Sequence, residues 1–396
     1  MLLALIGGFA LSQAFRTVAA ILAPPLQQEF GFTPRELGLF AGAFHLAFGA
    51  LQLVMGMGID VWGPRRTVLA AFPLAAVGAL LAATAHDYGQ LLLAQVVIGI
   101  GCAPAFLACT VFIARRFPAD RFAAVSGAAM GLGSAGLLLT GTPLAWVVEQ
   151  VSWRAGFLVL AGGAALAWLA ILLVVREAPA PGPAAARPGV LGALRGYGAL
   201  FSLRHTWGIV VLASFTYASF LSLRGLWLGP LLVDRHGFTL LQAGNVALAV
   251  SVVGMLGPPL FGRLDPGDRT RRRWITGFTL LVAVLYGVIA ASRSAAVDVA
   301  LSLAMSLVSG YIVLQYSDVR SAYPAAMTGR AMAVFTMAMF LGVGLVQWLT
   351  GLVATAAPGL GLDRYAAVMA AIAGLLALAA LAFVLLPAPT PRTLHP

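Results

Sequence analysis

Stretches of about twenty apolar residues recur twelve times along this 396-residue chain, parted by short charged segments. No water inside a hydrocarbon layer can bond an exposed peptide group. A chain of this pattern therefore satisfies its backbone only as helices that cross the layer. Only 9% of the residues are charged and 61% are hydrophobic, whereas a soluble domain carries about 25% charged residues. A water-soluble fold would expose large adhesive patches. The expected class is all-α integral membrane, with spans near 3–26, 35–57, 67–85, 89–114, 122–147 and 153–175, then 206–232, 238–262, 274–292, 296–317, 330–356 and 364–386.

The second six runs repeat landmarks of the first, about 206 residues on. Gly31-Phe32-Thr33 returns as Gly237-Phe238-Thr239, Gly56 as Gly262, Pro25 as Pro230 and Pro118 as Pro324. Two similar bundles, residues 1–175 and 205–396, are expected on either side of a Pro-, Ala- and Arg-rich cytoplasmic linker, 176–204. Duplicated bundles in membrane carriers hold their site at the seam between halves, near the midplane.

All 24 basic residues are Arg, and the net charge is +11. Seventeen of them fall in the loops after even-numbered spans, in the linker or in the C-terminal tail. That asymmetry predicts a multi-pass protein of the inner (plasma) membrane with both termini in the cytoplasm. The positive charge thus reads as topology, not as a nucleic-acid surface. The first run lacks the basic start of a signal peptide. Cys102 and Cys109 lie within one apolar run and imply no disulfide framework. No Gly-x4-Gly-Lys-Ser/Thr loop supports nucleotide drive, no catalytic cluster points to an enzyme, and no cofactor or bound metal is implied.

The loop after the second run, Gly58-Ile59-Asp60-Val61-Trp62-Gly63-Pro64-Arg65-Arg66, resembles the signature loop of the major facilitator superfamily. Gly262-Arg263-Leu264-Asp265-Pro266-Gly267-Asp268-Arg269 is its second-half copy. Two copies, six plus six runs and a polar linker extend the resemblance over the whole chain. It implies two pseudo-symmetric six-helix bundles and a monomeric secondary transporter working by alternating access. Asp60, Arg65, Arg66, Asp265 and Asp318 are then expected at the gate. Span 4 has Gln95 where many proton-coupled members carry Arg, and Gly141-Thr142-Pro143 departs from the drug-antiporter pattern. Arg224 to Pro230 and Pro324 to Ala331 are similar to a bacterial branch grouped with nitrate/nitrite-type porters.

Arg16 in the first run and Arg224 in the seventh carry the functional reading. A charge inside a span costs several kcal/mol unless it meets a cavity or a partner, and no Asp or Glu is expected mid-span. A guanidinium offers a planar fork suited to carboxylate, nitrate or phosphate. The expected cargo is a small organic or inorganic anion, bound by Arg16 and Arg224 with Tyr217, Trp227, Tyr311 and Gln315. His45, in the second run, is the candidate for proton coupling. Two alternatives remain at this stage. One is a copper or metal importer using Met55, Met57, Met332, Met337, Met339 and the two cysteines; the other is an efflux carrier for a small amphiphile.

Overall fold

The computed structural model describes residues 1–176 and 198–388, side chains at 60, 115, 119–124, 127, 325 and 326 excepted. Most of the expected linker and the last eight residues lie outside the described part. Eleven described stretches are long and apolar enough to cross a membrane. In chain order, spans 2 to 6 are Pro34–Ile59, Pro64–Ala83, Tyr88–Ala114, Ala128–Gln150 and Trp153–Val174. Spans 7 to 12 are Arg204–Arg235, Leu240–Arg263, Asp268–Ala291, Ala295–Ala322, Met327–Leu360 and Arg364–Leu385. Span 1 is a bent pair, Leu2–Phe15 and Ala19–Phe30, meeting at 44°.

The repeat is physical. Gly31 and Gly237 end spans 1 and 7 with φ of 67° and 69°, a left-handed turn that glycine adopts without steric cost. Two residues on, Thr33 and Thr239 each build a capping box, with Glu36 and Gln242 respectively. At the other end of spans 2 and 8, Gly63 and Gly267 turn the chain with φ of 89° and 78°.

Proline shapes the two spans that carry arginine. Pro24 has no N–H for the Ala20 carbonyl four residues earlier, and Pro230 has none for Leu226. Span 1 breaks at Arg16–Val18, where Thr17 N–H bonds Ala14 O at 3.1 Å. Span 7 widens into π-helical turns at Leu223–Trp227 and Leu231–Arg235. Arg16 lies in the break and Arg224 in the first π turn, a type of irregularity that recurs at functional sites.

The halves close on one another at the end of the bundle that carries the Gly31 and Gly237 loops. There span 2 packs along span 11, and span 5 along span 8. A Cβ at Gly42 would stand 2.8 Å from Gly344 O, and one at Gly229 only 1.7 Å from Ala20 O. Small residues let membrane helices approach this closely. The freed Ala20 carbonyl is the atom that Gly229 admits. Two polar contacts join the same end: Thr142 Oγ1 donates to Asn245 Oδ1 at 2.6 Å, and Arg35 N–H to Thr355 Oγ1 at 2.9 Å.

Gly229→Ala is expected to force Ala20 away at an overpacking cost of about 1–3 kcal/mol and to lower the thermal unfolding midpoint of the solubilised protein. Gly7→Ala, where a Cβ meets nothing within 4 Å, should leave the midpoint unchanged or slightly raised.

Candidate binding cavity

A cavity of about 520 Å³ lies between the halves, from the closed end toward the opposite, arginine-rich end. Small-molecule sites occupy about 300–1,000 Å³. Its wall is mainly aromatic and aliphatic, with Phe9, Phe48, Phe106, Phe220 and Phe340 among its residues. Polar groups enter at Gln13, Arg16, Gln52, Ser134, Tyr217, Tyr316 and Thr336.

Arg16 is the cationic side chain among the lining residues. Its guanidinium carbon lies 4.7 Å from the ring centres of both Phe48 and Phe340, which belong to different halves. The two rings pack on each other at 4.4 Å. Ser12 Oγ accepts a long bond of 3.5 Å from Nη2, and Nε has no partner. Each cation–π contact contributes about 2 kcal/mol when desolvated, against a desolvation cost of several kcal/mol for the ion. The rings hold the guanidinium in place without neutralising it.

Arg224 is 1% exposed and stands behind the wall. Nε donates to Ser251 Oγ at 2.9 Å, and Nη2 to Leu137 O at 3.1 Å and Thr140 Oγ1 at 3.5 Å. Among the described residues, neither arginine has a carboxylate within 4 Å. Other buried charges here are paired. Asp298, fully buried, meets His236 at 2.8 Å and Arg235 at 3.6 Å.

Of the other expected contacts, Tyr217 lines the cavity, its ring edge against Phe340 at 5.5 Å. Trp227 Nε1 donates to Thr350 at 2.9 Å. Tyr311 shares a hydrogen bond with Thr279 at 2.8 Å, and Gln315 Oε1 accepts from Thr216 at 3.1 Å. These three side chains lie outside the cavity lining in this conformation, tying neighbouring helices together. His45 is buried beside the cavity. Its Nδ1 lies 3.1 Å from Ala41 O, its ring stacks at 6.5 Å on Phe340, and its Nε2 has no hydrogen-bond partner among the described residues. Residues that sequence reasoning passed over include Gln13, Phe48, Phe340, Thr336 and, as a site residue, Tyr316. Gln13, one helical turn from Arg16, was findable by spacing.

The expected gate residues sit at the arginine-rich end. Arg65 donates to Leu172 O at 3.0 Å, and Arg66 is exposed. The Asp60 side chain lies outside the described residues. Asp265 receives Arg271 Nε and Nη2 in a two-pronged pair, both at 2.9 Å. Asp318 lies 3.7 Å from Arg272.

Residues 4–347 match the family described as the Major Facilitator Superfamily. The chain belongs to that superfamily. It is a multi-pass membrane protein of that superfamily's fold. A probable sulfoacetate transporter of Cupriavidus necator is 25% identical over 272 residues, 65% of this chain and 62% of that protein. The D-galactonate transporter of Escherichia coli is 29% identical over 41% of this chain and 38% of its own length. The hexuronate transporter of Bacillus subtilis is 22% identical over 61% and 58%. The matched stretches thus span less than two thirds of each of these relatives. Among solved structures, a D-xylose–proton symporter superposes with a TM-score of 0.77 at 16% identity, covering 99% of both chains. An inward-facing, occupied bacterial homologue of the lysosomal transporter Spinster gives 0.76 at 18% identity, covering 97% and 95%. At these identities the structural likeness concerns the fold.

Burial raises the Asp265 carboxyl, but bonds from Arg271 and the Gly267 N–H outweigh it and hold the group below the ordinary carboxylate value. A depressed carboxylate contributes stability above its unfolded pKa of about 3.9, and that contribution disappears as pH falls through the lower folded value. Asp265→Asn is expected to cost about 1 kcal/mol near neutral pH and progressively less below pH ~4. Unfolding of both proteins across that range checks it.

Proposed function

We propose that this transporter carries a small organic anion, held by Arg16 against the aromatic wall of the cavity. The observation that carries the reading is a guanidinium lining a carrier cavity with no carboxylate within ion-pair distance among the described residues. A carboxylate or sulfonate supplies the missing charge and matches the fork geometry. Gln13, Gln52, Tyr217, Tyr316 and Thr336 supply neutral hydrogen-bonding groups on the same wall, suited to the hydroxyls of a sugar acid. The relatives' names, for sulfoacetate, D-galactonate and hexuronate, favour an organic anion over nitrate or nitrite.

The arginine-rich end is assigned to the cytoplasm of an inner membrane, which makes this conformation inward-open and places both termini inside. Asp60, Arg65, Arg66, Asp265 and Asp318 are the gate groups that rearrange when that end closes. Trp227, Tyr311 and Gln315 fix the helices that carry the site. The carrier acts as a monomer.

Importing an anion against an inside-negative potential costs about 2.3 kcal/mol per charge per 100 mV. A co-transported proton cancels that cost, and His45 is its acceptor: it is buried at the half-to-half contact with an unpartnered Nε2.

In proteoliposomes, labelled D-galactonate or sulfoacetate is expected to enter saturably, and Arg16→Gln to lower uptake at least about tenfold, the scale of one lost charge-assisted contact. Uptake of neither anion, or full uptake by Arg16→Gln, contradicts the reading. His45→Gln should keep anion counterflow while abolishing accumulation driven by an imposed pH gradient. Accumulation that survives the change removes His45 from the coupling step.

A further inference from the structure

Arg224 spends its hydrogen bonds across the seam. Nε is anchored in its own half on Ser251, whereas Nη2 is capped by Leu137 O and Thr140 of the other half. The third nitrogen, Nη1, is buried without a partner among the described residues. The Leu137 carbonyl is open to Arg224 because span 5 is irregular there: the Gly141 N–H that would reach it in a regular helix bonds Leu138 O instead, and the carbonyl's other bond comes from Thr140 Oγ1 at 3.1 Å. Thr140 in turn shares a 2.6 Å bond with Thr17, the neighbour of Arg16. Thr140 therefore links the cap on Arg224 to the backbone turn that carries Arg16, one arginine in the cavity and one sealed off from it.

The seal is made of contacts that must part when the closed end opens. Leu137 and Thr140 belong to the half that moves away from Arg224. Once they leave, a guanidinium anchored only on Ser251 borders the newly opened passage and needs new acceptors. We propose that Arg224 is the cargo ligand of the opposite-facing conformation, capped here by Leu137 O and Thr140, so that Arg16 and Arg224 serve the same anion in turn. This rests on the anion-carrier reading. The wide π turn at Leu223–Trp227 fits the role, since such turns set a side chain off the regular helical register. Arg224 is then capped by a carbonyl of the opposite half when idle, whereas Arg16 faces the cavity with Phe340 of the opposite half beside it.

The test uses the full chain with Cys102→Ala and Cys109→Ala. In one arm, spin labels at His86→Cys and Leu360→Cys, both exposed at the closed end, report the opening by pulsed electron resonance without any cargo. Arg224→Met should shift the population to longer distances, and Arg224→Lys should shift it less. In the second arm, cysteines at Arg35→Cys and Thr355→Cys are cross-linked to lock the present conformation, and D-galactonate binding is titrated. In the locked protein, Arg16→Met should weaken binding at least about tenfold and Arg224→Met by less than about threefold. In the unlocked protein, Arg224→Met should lower galactonate exchange at least about tenfold, with partial recovery in Arg224→Lys.

Unchanged label distances overturn the cap. Binding in the locked protein that depends on Arg224 as strongly as on Arg16 overturns the alternation, as does undiminished exchange in Arg224→Met. If protein with both arginines intact binds no galactonate or sulfoacetate, the anion-carrier reading fails and the ligand role with it. Label distances that lengthen in Arg224→Met then still establish the cross-half cap.

Discussion

Two guanidinium groups stand in the apolar interior of this protein with no carboxylate of the described residues beside them, and much of the architecture is arranged around that fact. An ion held in such a medium costs several kcal/mol. The chain meets the cost with aromatic faces at Arg16, and with two hydroxyls and the Leu137 carbonyl at Arg224. Neither solution cancels the charge. Where the same chain buries charge for structure alone, as at Asp298, it supplies opposite charges. On the proposed reading, that contrast separates a binding charge from a structural one.

The backbone makes these positions available. Prolines in spans 1 and 7 free carbonyls and are accompanied by a break in one helix and π turns in the other. Glycines at the closed end then bring the halves into backbone contact around the freed groups. The contact is built of small residues, the Phe340 ring against Phe48 and His45, and a few polar bonds, without a cross-half ion pair among the described residues. Such an interface can part and re-form, as a rocking carrier requires. The ion pairs lie within halves, where Asp265–Arg271 stiffens the second-half loop.

Much of this was legible in the sequence. Apolar length gave the spans, and the repeated Gly-Phe-Thr triplet marked the turns and capping boxes that the fold contains. Arg16 and Tyr217 could be nominated for the cavity because a polar group in a span is costly anywhere else. The neutral aromatic residues could not be resolved in the same way. Phe48 and Phe340 look like any core phenylalanine until the two halves meet. Tyr311 and Gln315 share a helix with Tyr316, yet of the three only Tyr316 lines the cavity, because Ser309, Ile312 and Tyr316 share the inward face and Tyr311 and Gln315, four apart, share the adjacent one. The cap on Arg224 was illegible for a similar reason, since it depends on a carbonyl released by an irregular turn in another helix.

The central claim is that the cavity requires a negative charge on its cargo. Calorimetric titration of the purified protein with D-galactonate and with galactitol, which has the same carbon chain with a hydroxymethyl group in place of the carboxylate, tests it most directly. The account predicts measurable binding of the acid and none of the alcohol at the same concentrations. Equal binding of the two would show that hydroxyl contacts hold the cargo and that Arg16 is a structural ion.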